Sequence, residues 1–138
     1  MNPHLLRIRR GAWAALLSEH ADSLRQAAHS GRELIDQVLK DGSPDDEVRA
    51  EPGFQAAAGS SSGISRRMRL KFLMRRQGTE SESDLKVVEE SGDLLLAIDD
   101  KLKAQAHART APMHSDVRDA LAIAEAMLWR ILVPASKR

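Results

Sequence analysis

Arg109 and His114 are the two residues of this chain best placed to do chemistry together. They bracket the hexapeptide Arg109-Thr110-Ala111-Pro112-Met113-His114, which separates two long helical patterns. A guanidinium can hold a phosphate while a nearby imidazole moves a proton, a pairing suited to phosphodiester cleavage without a metal. Spacing this short is a weak signal in a chain with 21 Lys and Arg and 5 His, so position carries the argument. At a helix–helix elbow, Arg109 closes one helix and His114 precedes the next, whose first free amides also favour an anion. Arg109 would then neutralise the charge growing on a scissile RNA phosphate, and His114 would deprotonate the 2′-hydroxyl or protonate the leaving 5′-oxygen. One imidazole does not easily serve both ends of the reaction. Two copies across a symmetric interface would, which implies a homodimer with a composite cleft. The plainer alternative is that Arg109 caps its helix and His114 is an ordinary polar residue before a cap.

Little else in the chain offers catalysis. There is no Cys, which excludes disulfides, thiol nucleophiles and cysteine zinc sites. His20 and His29 stand nine apart on one helix and do not share a face for a metal; no metal or cofactor is expected. His107 is either a second proton-transfer group or a bystander. No Gly-rich phosphate loop, carboxylate pair or Ser/His/Asp arrangement stands out, and Asp99-Asp100 reads as a solvated helical face. The start of the chain lacks the apolar run of a signal peptide and no stretch has the length of a membrane span, so a soluble cytoplasmic protein is expected.

The charges are segregated although their sum is only +1. Arg66, Arg67, Arg69, Lys71, Arg75 and Arg76 crowd into one acid-free segment, while Glu80 to Asp100 holds a single base, Lys86. Two readings stand level: an RNA-backbone groove built by the six cations, or charge matching between neighbouring helices. With no Tyr, two Phe and two Trp, base stacking is not expected; Trp13 and Trp129 read as core or interface anchors, Trp129 as a dimer contact.

The elements that must hold the elbow read as all-α, in one domain over 1–138. A first helix is expected from about Arg10 to Lys40, with Leu17, Ala21, Leu24, Ala28, Gly31, Ile35 and Val38 on one face. Gly31 in that stripe marks a close approach of another backbone. Asp41-Gly42 ends the helix, and Ser43-Pro44-Asp45-Asp46 reads as a cap, a first-turn proline and dipole-matched acids. A mobile loop follows at about 52–63, pinned by Phe54. The second helix runs from Ser65 to Gln77 and stops at Gly78. The third opens on a Thr79-x-x-Glu82 or Ser81-x-x-Asp84 capping box, presents Leu85, Val88, Gly92, Leu95 and Leu102, and continues to about Ala108. After the Pro112 break, Ser115 caps a fourth helix whose buried stripe is Val117, Leu121, Ala124, Leu128 and Ile131, and Pro134 stops it. This is a four-to-five-helix up-and-down bundle.

The stretch from Arg109 to Leu132 resembles the C-terminal half of a HEPN domain, where an Arg-x4–6-His motif precedes an acidic-started, Ala/Leu-rich final helix. About 25 residues match well and the remaining helices follow that family's layout loosely. The resemblance implies a dimeric, metal-independent endoribonuclease of toxin–antitoxin or anti-phage type, with Arg109, His114 and Thr110 at its site, or a non-catalytic dimerisation and interaction module of a larger defence complex. HEPN motifs usually carry Asn, Asp or His after the arginine, where this chain has Thr110, a hydrogen-bond donor without their charge or amide. Ser30-Gly31-Arg32-Glu33-Leu34 and Ser65-Arg66-Arg67-Met68-Arg69-Leu70 are further similar to a small family of predicted PIWI-associating nucleases of prokaryotic defence systems. A defence-system or antitoxin partner protein is then implied.

Overall fold

The computed structural model describes residues 2–18, 20–77 and 81–133. These residues form six helices: α1 (Pro3–Leu17), α2 (Ala21–Gly42), α3 (Asp45–Arg49), α4 (Arg66–Gln77), α5 (Glu82–Ala106) and α6 (His114–Leu132). The expected all-α bundle is what forms.

The long first helix is two helices. Asn2 caps α1 by accepting the His4 amide at 2.9 Å, and Pro3 occupies the first turn, where its missing N–H costs nothing. The chain then reverses, and α1 lies along α2 with Leu5, Ala12 and Leu16 buried. Leu17, assigned above to the buried stripe, is 81% exposed. Apolar periodicity did not register the break because the link is only a few polar residues, which the stripe spans without interruption.

Helix α2 is the centre of the fold and packs against α1, α4, α5 and α6. Leu24, Ala28, Ile35 and Val38 are buried as expected, joined by Ala27, Leu34 and Leu39. Gly31 is the close approach that the pattern required: an added Cβ would stand 3.0 Å from Leu121 Cδ1 and 3.4 Å from Leu102 Cδ1. There α5 and α6 close on α2. The full α6 stripe is buried, as are Val88, Leu95 and Leu102 of α5.

Helix ends carry the remaining corrections. Ser81 caps α5, accepting the Asp84 amide at 3.1 Å. Helix α5 ends at Ala106, and α6 begins at His114 with Met113 at the cap position, so Ser115 is inside the helix. Pro44 is likewise the cap residue of α3 rather than its first residue. The expected stops at Gly78 and Pro134, the alternative Thr79 cap and the side chains of Ala21 and Leu85 lie outside the described residues.

The segment after α3 is stapled to the body. Ala57 donates to the Gly63 carbonyl at 2.8 Å, Arg49 to the Ser62 carbonyl at 2.9 Å, and Gly63 turns the chain at φ 74°, where a side chain is disfavoured. Phe54 packs on a small cluster of Val48, Ile64, Phe72 and Met68.

Candidate functional site

The elbow spans residues 107–113 and is held from below by α2. Arg25 donates through Nε to the Ala108 carbonyl at 3.1 Å and through Nη2 to the Thr110 carbonyl at 3.4 Å, while its Nη1 pairs with Asp22 at 3.1 Å. Pro112 is buried against the bundle. The elbow is therefore shaped by a residue the sequence reading passed over.

His114, half-buried, is the first residue of α6, and its Nε2 lies 3.1 Å from the Leu16 carbonyl at the end of α1. A carbonyl only accepts, so Nε2 carries the proton. In the neutral ring Nδ1 is then the free lone pair. Arg109 and Thr110 are both exposed, and Arg109 has no hydrogen bond or ion pair to a described residue. No described side chain caps α6, which leaves the His114 and Ser115 amides without a described partner beside the imidazole. Arg109 and His114 share the elbow without bonding to one another.

Five of the six cations of α4, its arginines, meet the fold's own carboxylates. Arg69 is 3% exposed; it donates to the Ser43 carbonyl and to Asp45, each at 2.7 Å, and holds the Asp45 carboxyl below the usual carboxylate range. Arg66 pairs with Asp99 at 3.1 Å, Arg67 with Asp93 at 3.0 Å, Arg75 with Glu51 at 3.1 Å and Arg76 with Glu47 at 3.2 Å. Lys71 is exposed. Charge matching between neighbouring segments accounts for most of the basic run.

A second constellation lies where α2, α4 and α5 meet. Asp99, expected on a solvated face, is 3% exposed. Its Oδ2 meets Arg66 Nη1 at 3.1 Å and its Oδ1 approaches Arg32 Nε at 3.5 Å. Arg66 also reaches Asp36 at 3.6 Å, and Asp36 pairs with Lys40 at 2.7 Å. Burial pushes the Asp99 carboxyl above its ordinary range, against the pull of Arg66 and Arg32 and helped by Asp100 and Asp36. The group borders a cavity of about 670 Å³ that is also lined by Ala57 to Ser62. Among the described residues no three of His, Asp and Glu gather to hold a metal ion.

A sequence signal for Asp99 existed. The α5 stripe steps from Leu95 to Leu102, and the position between them on that face, 99, is an acid. On α6 the stripe is unbroken, and the half-buried Glu125 beside it accepts from Arg9 Nε at 2.6 Å and Trp13 Nε1 at 2.8 Å. An acid in the middle of a buried stripe requires a partner.

A family model described as predicted pPIWI-associating nuclease matches residues 1–131. The chain belongs to that family. No curated protein and no solved structure matches it. The family match bears out the resemblance drawn from Ser30–Leu34 and Ser65–Leu70. Those two segments converge in space, because Arg32 from the first and Arg66 from the second both address Asp99. In this member of the family, no helix among the described residues is long and apolar enough to cross a membrane.

Proposed function

We propose that this member of a nuclease family is a metal-independent endoribonuclease of HEPN type whose active site is the elbow. One observation carries the reading: His114 is anchored through Nε2 to the Leu16 carbonyl, which fixes the ring and leaves Nδ1 as its proton-transfer atom. A third group orienting the base is the arrangement that acid–base catalysts use. In the reaction, Nδ1 takes the 2′-hydroxyl proton as O2′ bonds to phosphorus. The P–O5′ bond breaks and the leaving O5′ receives a proton from a second imidazole, giving a cyclic phosphate and a 5′-hydroxyl. Arg109, exposed and unbonded to described residues, meets the phosphate as its negative charge grows. Thr110 offers a hydroxyl donor beside it.

The second imidazole is that of another copy, and the family description supports a PIWI-type partner, beside which the chain would act in defence. Trp129 supports an interface: it is 60% exposed on an apolar groove of about 810 Å³ shared with Trp13, Leu128 and Leu132. That groove equally supports a second reading, a non-catalytic docking module of a larger complex.

Labelled RNA incubated with the chain in EDTA separates them. Cleavage should fall about 100- to 10,000-fold in His114→Ala and comparably in Arg109→Ala, with folding unchanged by circular dichroism. Equal cleavage by all three chains refutes the assignment, and no cleavage by any of them leaves the docking module.

A further inference from the structure

The cavity beside Asp99 plays no part in the reaction proposed above, and its chemistry is mixed. Asp99 Oδ1 and Arg32 Nε face each other at 3.5 Å as an ion pair without a hydrogen bond, and the buried Arg66 Nε hydrogen-bonds to nothing described. Native interiors rarely leave a buried N–H such as that of Arg66 Nε without an acceptor. The amides of Ala58 to Ser62, residues that line the same cavity, also bond to no described residue. Arg66 and Arg67 line the cavity with them, each held on one side by a carboxylate, Asp99 and Asp93, so guanidinium groups and loop amides without a described partner border one space, the groups that receive phosphate. Asp36, Asp99 and Asp100 add acceptors from α2 and α5. A bare phosphate would meet those carboxylates with repulsion. A neutral ligand would leave the cations and amides unused. A nucleotide answers both, because its phosphate accepts and the amino-bearing edge of its base donates. The volume, about 670 Å³, is that of a small-molecule site.

We infer that this cavity binds a nucleotide, with its phosphate at the Gly59–Ser62 loop and Arg67, and the amino edge of its base at the carboxylates of α2 and α5. The ligand is either a free nucleotide or one nucleotide of an RNA strand. The site is independent of the elbow.

The test titrates the full chain with GMP, UMP and inorganic phosphate, reading heat by calorimetry and the backbone amide shifts of Gly59 to Ser62 by NMR. Guanine presents two adjacent donors that a carboxylate accepts together, so GMP should bind at least about tenfold tighter than UMP or phosphate. Arg67→Ala and Asp100→Asn change exposed side chains and leave the core intact, and each should weaken GMP by about threefold or more. His114→Ala should keep full GMP affinity, which separates this site from the elbow. A guanine-containing single strand that displaces GMP identifies RNA as the source; GMP binding without displacement identifies the free nucleotide. No saturable shift of the loop amides with GMP, phosphate binding as tightly as GMP, or unaltered affinity in both variants overturns the inference.

Discussion

Adding one methyl group at two glycines should have opposite effects, and the difference measures how tightly α2 is clamped. Gly11 lies inside α1 with nothing within 4 Å of an added Cβ. Gly11→Ala therefore gains helix propensity alone, about 1 kcal/mol, and should raise Tm by about 4 °C. Gly31→Ala has the same propensity gain, but its Cβ would stand 3.0 Å from Leu121 Cδ1 and 3.4 Å from Leu102 Cδ1. Both leucines are 0% exposed, so neither methyl has free space to retreat into. Overpacking of a full core costs about 1–3 kcal/mol, which exceeds the gain. Gly31→Ala should lose about 1 kcal/mol net, and Leu121→Val in the same chain should recover part of that loss by removing a methylene. Urea unfolding with a common m-value resolves these differences. If Gly31→Ala stabilises the chain as much as Gly11→Ala does, the junction of α2, α5 and α6 is looser than the distances state, and close approach is the wrong reason for that glycine.

Three further outcomes follow. Arg69→Met removes donors to the buried Ser43 carbonyl and to Asp45 and should cost about 2–3 kcal/mol, whereas Lys71→Ala on the same helix should stay within about 0.5 kcal/mol; equal losses in denaturant melts would contradict the burial difference. Asp99 binds its proton more tightly folded than unfolded, so its contribution is fully present below the ordinary carboxylate pKa and is lost as pH rises through the raised folded value. The stability difference between wild type and Asp99→Asn should change across that window, with Arg66, Arg32, Asp36 and Asp100 setting its height, and a pH-independent difference would contradict it. Trp129→Ser, at a 60%-exposed position, should leave the helical circular dichroism unchanged but convert a dimer to a monomer in light scattering; a monomeric wild type removes the composite cleft from the proposed reaction.

Much of the fold was written in the spacing of apolar residues. The α6 stripe, the boundaries of α4, the Ser81 cap and the Gly31 contact are all local or periodic properties, and helix formation depends on such patterns. The hairpin between α1 and α2 was not legible, because a reversal through a few polar residues leaves the period of the stripe nearly unbroken. Of the elbow, the sequence supplied Arg109, Thr110 and His114 but not their supports: Arg25 and the Leu16 carbonyl lie 83 and 98 residues away from the groups they hold.

The division has a physical basis. Composition and periodicity determine which residues form helices and which faces are apolar, since both depend on neighbours within a turn or two. Which charge meets which is decided only when the helices close. Asp99 is buried because α2 and α4 bring Arg32 and Arg66 to it, and the arginines of α4 are committed because acids from α3, α5 and the segment after α3 arrive beside them. An ion pair requires a few ångströms of proximity, and no spacing along the chain encodes that distance.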